Sequence, residues 1–361
     1  MESLKKLWNN KMMRTFILVI IGIIILIIIA VMFIGKGSKN VTETSLVNAA
    51  KRYETNTANV LPLNEYDSRI ISLSQLISSG YLESDDEGAS CSSYVVVVKI
   101  GNDYEYTPHI KCNNESDSKL LSNKILSNVT SSGSGLYRHN DTYIYRGDNP
   151  NNYVLLGGKK WRIVGFDNLN NIRIVYSDTA PDYQEWDDRY NIDVDKDDGI
   201  NEYNLSRIKD YLDNYLNTYG EGNDNDEIIF TSKVKSKLAK STICIGKIDL
   251  DSNNIDTCSS KLDNVTASVI TATDYMNASL DTLCSTSNTK NCQNYNFLNR
   301  TGWTISAYSG DTVKTYFIDE SNGLRLASSY IRKAIRPVVV LRSDTIYVSG
   351  NGTETDPYVI K

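Results

Sequence analysis

The 361-residue chain has only two histidines, His109 and His139, and none of its six cysteines belongs to a C-x-x-C pair. Zinc sites are built mainly from closely spaced cysteine and histidine side chains. The sequence therefore argues against a zinc centre. We expect both histidines to have structural roles or to face solvent.

Sequence signatures of nucleophilic hydrolysis are also missing. There is no G-x-S-x-G turn, no cysteine–histidine signature and no S-x-x-K motif accompanied by S-D-N. Glycosidases use a pair of carboxylates, and several acids near residue 185 could supply one. With so many acids in a short segment, a pair is expected by chance. These acids are Asp182, Glu185, Asp187 and Asp188. We predict a protein without catalytic activity.

Clusters of positive charge are scarce as well. The formal net charge is −6, and no long basic tract lies beyond the N-terminus. Binding to nucleic acid depends on clustered lysine and arginine side chains that neutralise phosphates. We therefore exclude nucleic acid as the expected partner.

Long hydrophobic runs are missing too, with one exception at residues 15–34, TFILVIIGIIILIIIAVMFI. This uncharged run would span roughly 30 Å as a helix, which is the thickness of a bilayer core. It is longer than the apolar part of a signal peptide, and no A-x-A cleavage site follows it. We predict an uncleaved transmembrane anchor after a cytoplasmic tail at residues 1–14.

The orientation of this anchor follows from the charges before it. Lys5, Lys6, Lys11 and Arg14 precede the span, and positive residues tend to stay on the cytoplasmic side. All six cysteines follow it, which suits disulfide formation in an oxidising compartment. We expect a single-pass cell-membrane protein with its N-terminus inside and its C-terminal ectodomain outside.

The cysteines predict specific disulfide bonds. Strand-like residues 93–100 and 104–110 flank a turn signal at Gly101 and Asn102. A two-residue turn there would place Cys91 opposite Cys112, so we expect a disulfide that closes the open end of a hairpin. The remaining four cysteines allow three connectivities, of which we favour pairing of neighbours because it closes short loops; they are Cys244, Cys258, Cys284 and Cys292.

Hydrophobic periodicity outlines an irregular α+β ectodomain. In the first part, we expect helices over residues 38–56 and 70–77. A polar segment at 113–136 is typical of a linker, and a second domain would then begin near residue 137. Its predicted helices cover 206–216 and 273–283, and its predicted strands cover 141–146, 153–156, 160–166, 172–176, 303–307, 315–318, 334–341 and 345–348.

The chain carries two family resemblances. The apolar helix, AAKRYE, LSQLISSGYL and the cysteine-flanked hairpin make residues up to 112 resemble type IV pilin-like proteins of Gram-positive bacteria. The resemblance implies a small α+β domain over 38–112. The Gly-Phe cleavage site and the glutamate inside the apolar helix, which pilins use for processing and assembly, are not present.

The second resemblance covers residues 137–361. WRIVGF, WDDRYN, GINEYNLSRI, TDYMNASLD, GWTISA, IRPVVVL and GNGTETDPYVI occur in this order. Together they are similar to an uncharacterised family of secreted or membrane-anchored bacterial domains. The resemblance implies the C-type-lectin-like scaffold shared with sulfatase-modifying-factor domains, and it transfers no catalytic residues.

An acidic segment around residue 195 resembles a calcium-binding loop. Calcium prefers six to eight oxygen ligands, which alternating acids can supply. The candidate ligands are Asp193, Asp195, Asp197 and Glu202. The spacing of Gly199 departs from that of an EF-hand, and a solvated acidic loop explains the same pattern. Calcium is the one cofactor that the sequence brings into consideration.

These features together predict a membrane-anchored recognition or adhesion protein of a bacterial cell surface. Its partner would be a glycan or a protein on the extracytoplasmic side, contacted by loops at 182–203 and 250–294. A structural subunit of a pilus-like or cell-envelope assembly is the alternative hypothesis, and an unrecognised hydrolase is a third hypothesis. The tryptophans of the second domain could form a ligand platform, although such residues more often fill a core; they are Trp161, Trp186 and Trp303.

Overall fold

Four consecutive valines at residues 95–98 favour extended backbone, because β-branched side chains pack well on a pleated sheet. All four are buried in a strand of a three-stranded sheet. They belong to a computed structural model that describes residues 41–63, 68–83, 92–100, 102–110, 120–177, 182–222, 228–252, 255 and 257–361. The expected transmembrane run and the predicted Cys91–Cys112 disulfide lie outside these residues.

The structure is a mixed α+β architecture, rich in strands and with few helices, that divides into two compact units. The first unit lies before residue 116 and the second extends to Lys361. Among the helices that the structure describes, none combines the length and the apolar character needed to cross a bilayer.

The first unit contains two helices and a three-stranded sheet of order β1-β2-β3. Its elements are α1 (Glu43–Asn56), β1 (Ser68–Ser72), α2 (Leu73–Ser78), β2 (Tyr94–Ile100) and β3 (Asp103–His109). Thr42 caps α1 through a reciprocal pair of hydrogen bonds with Ser45, which satisfies free amides of the first turn. The rings of Tyr94 and His109 stack with their centroids 4.7 Å apart.

The expected helix at 70–77 is split in the structure. Residues Ser68–Ser72 form β1, which pairs antiparallel with β2 and places Ile71 opposite Val95. The helix α2 begins only after Ser72, whose hydroxyl caps it by accepting a hydrogen bond from the Gln75 amide. Pairing with the valine-rich strand therefore overrides the helical spacing of the first residues.

The second unit is built around a six-stranded sheet of order β16-β8-β7-β5-β4, in which β6 also pairs with β7. The expected linker at 113–136 contributes to this unit in its described part, because Leu121, Ile125 and Leu136 are buried in its core. The helices are α3 (Leu121–Leu126), α4 (Arg207–Thr218), α5 (Ser232–Lys235) and α6 (Ala272–Ala278). The strands are β4 (Gly135–His139), β5 (Thr142–Arg146), β6 (Tyr153–Leu156), β7 (Lys159–Phe166), β8 (Ile172–Tyr176), β9 (Tyr183–Glu185), β10 (Ser241–Cys244), β11 (Lys261–Val265), β12 (Gly302–Ala307), β13 (Lys314–Asp319), β14 (Gly323–Ser328), β15 (Arg332–Ala334), β16 (Val338–Leu341), β17 (Tyr347–Ser349) and β18 (Val359–Ile360).

Smaller sheets surround this centre. Strands β12, β13 and β14 form a three-stranded sheet, and β15 pairs with β9. Trp161, Trp186 and Trp303 are all fully or almost fully buried, so they fill the core and do not form a ligand platform. Disulfides link Cys244 to Cys258 and Cys284 to Cys292, which confirms the pairing of neighbours.

A largely buried ion pair joins the central sheet to α6. Arg173 on β8 donates two hydrogen bonds to the Asp274 carboxylate, at 2.9 and 2.6 Å. Asp274 also accepts a bond from the amide of Thr271, the residue that caps α6. Burial by itself would raise the pKa of Asp274, but the charge and hydrogen bonds of Arg173 and the bonds from Thr271 outweigh it, and the pKa lies below its usual value.

Replacing Arg173 by alanine should lower the free energy of unfolding by about 3 kcal/mol near neutral pH, because it leaves a buried carboxylate unpaired. Since the folded-state pKa of Asp274 is depressed, its contribution is present above the unfolded pKa of about 3.9 and is lost as the pH falls through the folded pKa. Denaturant unfolding of the full-length protein, followed by tryptophan fluorescence, measures both effects. The exposed Arg138→Ala is the control, and an equal effect of the two substitutions would contradict this account.

Candidate functional site

The acidic segment from Trp186 to Ser206, hereafter the acidic loop, starts from a buried anchor. The Trp186 indole donates to the Thr304 carbonyl at 3.1 Å. The backbone amides of Trp186 and Asp187 both donate to the carbonyl oxygen of Ser329, at 2.8 and 3.1 Å. The loop therefore leaves the core at a point fixed to the residue that follows β14.

A single buried carboxylate ties the two ends of the acidic loop together. Asp187 is fully buried and accepts hydrogen bonds from the Ile200 amide at 2.7 Å and from the Arg207 amide at 3.2 Å. Arg189 donates to the same carboxylate at 2.8 Å. Because Arg207 is the first residue of α4, the negative charge also lies at the favourable end of the helix dipole.

Two buried asparagines fasten the middle of the acidic loop to the segment that precedes β13. The Asn201 amide nitrogen lies within 3.0 Å of the carbonyl oxygens of Tyr308, Asp311 and Lys314. The Asn191 amide nitrogen donates to the carbonyl of Gly199 at 2.9 Å and lies 3.2 Å from Thr312 atoms. Both side chains act as cross-links between separate backbone segments.

Close packing also fixes the loop at Gly199. Its φ angle is +78°, and a Cβ atom added there would lie 2.1 Å from the carbonyl oxygen of Asp187. Any other residue would combine a strained backbone with a steric clash. Gly199 does not occupy the position of the glycine in an EF-hand. It is required here because two backbone segments lie very close to each other.

The tip of the acidic loop is a short turn between Asn191 and Lys196, which exchange backbone hydrogen bonds. It presents three large side chains to solvent: Tyr190 is 53% exposed, Ile192 is 83% exposed and Val194 is 38% exposed. An isolated exposed apolar residue is ordinary, but three within five residues on an anchored turn form a patch.

The expected calcium ligands do not come together. Within the described ranges, no three His, Cys, Asp or Glu side chains converge as a metal ion would require. Glu202 pairs with Lys247 at 2.5 Å, and Asp195 accepts a hydrogen bond from the Tyr190 hydroxyl. Asp193 and Asp197 stay exposed on the loop. Competing partners for Glu202 and Asp195 therefore disperse the four acids.

The other acids near residue 185 also have structural partners. Asp182 accepts hydrogen bonds from the hydroxyls of Tyr211 and Tyr219, and burial together with this bond raises the pKa of Tyr211 well above its ordinary value. Glu185 pairs with Arg332 at 3.4 Å, and Asp188 pairs with Arg207 at 2.9 Å. These bonds give each of the three acids a partner within the fold.

The second expected contact region, residues 250–294, is only partly a surface. Its part from Val265 to Ala278 enters the core, where Ile270 and Tyr275 are buried, so its strand-like and helical patterns reflect packing and not recognition. The acidic loop thus remains the better candidate surface.

Of the two histidines, His109 is buried on β3 and His139 ends β4.

No protein-family model matches the chain, and no curated protein and no solved structure is significantly similar to it. The functional inference therefore depends on the geometry of the chain's own residues.

Replacing Asn201 by aspartate should destabilise the acidic loop by about 2 kcal/mol, because it removes an amide donor and turns an acceptor toward three carbonyl oxygens, while the Lys247 ammonium, which already bonds to the Asn201 oxygen, offsets part of the loss. The loop should then be cleaved faster in limited proteolysis of the full-length protein. Asn168→Asp, an exposed change of the same charge in the same unit, is the control. Cleavage that is equally slow in both variants would show that Asn201 does not hold the loop.

Proposed function

We propose that this chain is a membrane-anchored, extracytoplasmic recognition or adhesion protein without catalytic activity, and that it contacts its partner through the tip of the acidic loop. The membrane anchor is supported by the apolar run at residues 15–34 and by the charges that precede it. The recognition role is carried by one observation, the exposed apolar turn on a loop that buried polar groups hold in place.

Exposed apolar area on a fixed turn favours association. Burial of such area is worth roughly 25 cal/mol per Å². The entropy lost on binding is smaller when the contacting segment is already ordered. Ile192 meets both conditions, because its side chain is almost free of neighbours while the Asn191 side chain beneath the turn is buried and hydrogen-bonded.

The charges around the tip indicate the partner. Asp193, Asp195 and Asp197 are exposed acids beside the patch in sequence, and Lys196 is the one basic residue among residues 190–197, whereas Asp188 is paired with Arg207. A complementary partner would place a small apolar pocket inside a basic rim. Such charges chiefly raise the association rate and make it depend on salt. A protein or peptide with that rim is therefore the expected ligand.

The test uses the full-length protein in detergent on an array of peptides that vary in net charge and apolar content. We expect binding to cationic peptides with apolar side chains, weakened by high salt. Ile192→Ser should reduce affinity by about tenfold or more, because a central apolar contact is worth 1–2 kcal/mol or more.

Leu169→Ser is the matched control, since Leu169 is 74% exposed on the turn between β7 and β8 of the same unit. Equal loss of binding in both variants would remove the acidic loop from the interface. Failure of the parent protein to bind any peptide, together with concentration-dependent self-association, would favour the structural subunit of an envelope assembly instead.

A further inference from the structure

A cavity of about 290 Å³ opens on the second unit, away from the residues of the acidic loop. Five stretches of chain form its walls: α3 with the turn that follows it, the start of β4, β5, the loop before β6 and the C-terminal motif GNGTETDPYVI. The lining residues are Lys124, Asn128, Thr130, Ser134, Gly135, Leu136, Tyr145, Asn151, Asn351 and Tyr358.

The C-terminal motif builds one wall by pairing with β6. The Tyr358 amide donates to the Tyr153 carbonyl, and the Leu155 amide donates to the Tyr358 carbonyl, each at 2.9 Å. Gly352 has a φ of +77°, and a Cβ there would lie 2.5 Å from the Tyr358 ring. The glycine therefore lets the chain close over the ring, and the motif has a structural reason to exist at the cavity.

Two almost fully buried tyrosines border the cavity. Tyr145 and Tyr358 are 3% and 1% exposed. Burial and the interaction with Tyr358 raise the pKa of Tyr145 well above its ordinary value.

The cavity has one charged side chain, Lys124, and no carboxylate among its lining residues. Within the described part of the chain, no carboxylate lies within 4 Å of its ammonium group, which is 5.5 Å from the centre of the Tyr347 ring. The amide nitrogens of Asn128 and Asn351 donate to the Lys124 carbonyl and to Asp356. The cavity therefore offers a cation, hydroxyl groups and amide oxygens.

We propose that this cavity binds a monosaccharide-sized, hydroxyl-rich ligand that carries one negative charge, such as a sugar with a carboxylate or a phosphate group. The volume lies just below the range for small-molecule sites, roughly 300–1,000 Å³, which suits a ligand no larger than a monosaccharide. Lys124 would pair with the anionic group, and the Tyr358 hydroxyl and the asparagine oxygens would bond to ring hydroxyls.

Titration calorimetry of the full-length protein in detergent tests this proposal with glucuronate, glucose 6-phosphate and glucose as probes. At least one of the two anions should bind about tenfold or more tightly than glucose, since a charged hydrogen bond contributes about 1.5–3 kcal/mol. Binding of glucuronate alone or of the phosphate alone identifies the anionic group. Equal binding of all three sugars, or no binding at all, would overturn the proposal.

Variants separate the cavity from general effects. Lys124→Gln should weaken binding of the anion about tenfold and leave the melting temperature unchanged, whereas Lys240→Gln, an exposed change of the same charge in the same unit, should have no effect. Tyr358→Phe keeps the buried ring and should weaken binding as well. Ile192→Ser should bind the sugars normally. Loss of binding in Lys240→Gln equal to that in Lys124→Gln would contradict the assignment.

Discussion

The second unit depends on one constraint: its long segments outside sheets bury carbonyl and amide groups that need hydrogen-bond partners. Buried asparagine side chains supply many of these partners. Asn152 donates to the Ile163 carbonyl and accepts from Arg162, while Asn296 donates to two carbonyls and accepts from the Leu298 amide. Asn201 makes the same kind of link in the acidic loop. A side-chain amide suits this task because it is both a donor and an acceptor.

This constraint connects composition to function. A loop held by backbone pairing alone would need a neighbouring strand, which would also cover its surface. Side-chain cross-links from Asp187, Asn191 and Asn201 hold the acidic loop from beneath and leave its tip exposed. Arg336 works in the same manner in the core, where it donates to the carbonyls of Tyr176 and Leu298. The unit can therefore present irregular surfaces and a cavity without losing order.

Regular patterns in the sequence predicted the regular parts of the fold. The predicted strands within 153–176 correspond to β6, β7 and β8, and the predicted helix at 206–216 corresponds to α4, which Ser206 caps. Three kinds of feature escaped prediction. The helical spacing at 70–77 gave way to pairing with β2, and the polar segment at 113–136 concealed α3. The roles of the buried asparagines depend on distant carbonyls, which local composition in an asparagine-rich chain does not reveal.

The contacts of Asp187, Asn191 and Asn201 should hold the acidic loop in one conformation before any partner binds. Amide hydrogen exchange of the free, full-length protein tests it most directly. The amides of Ile200, Asn201 and Arg207 donate to Asp187, Thr312 and Asp187, respectively, so they should exchange nearly as slowly as the core amides of β8. Exchange of these three amides at the rate of an unstructured peptide would contradict the account.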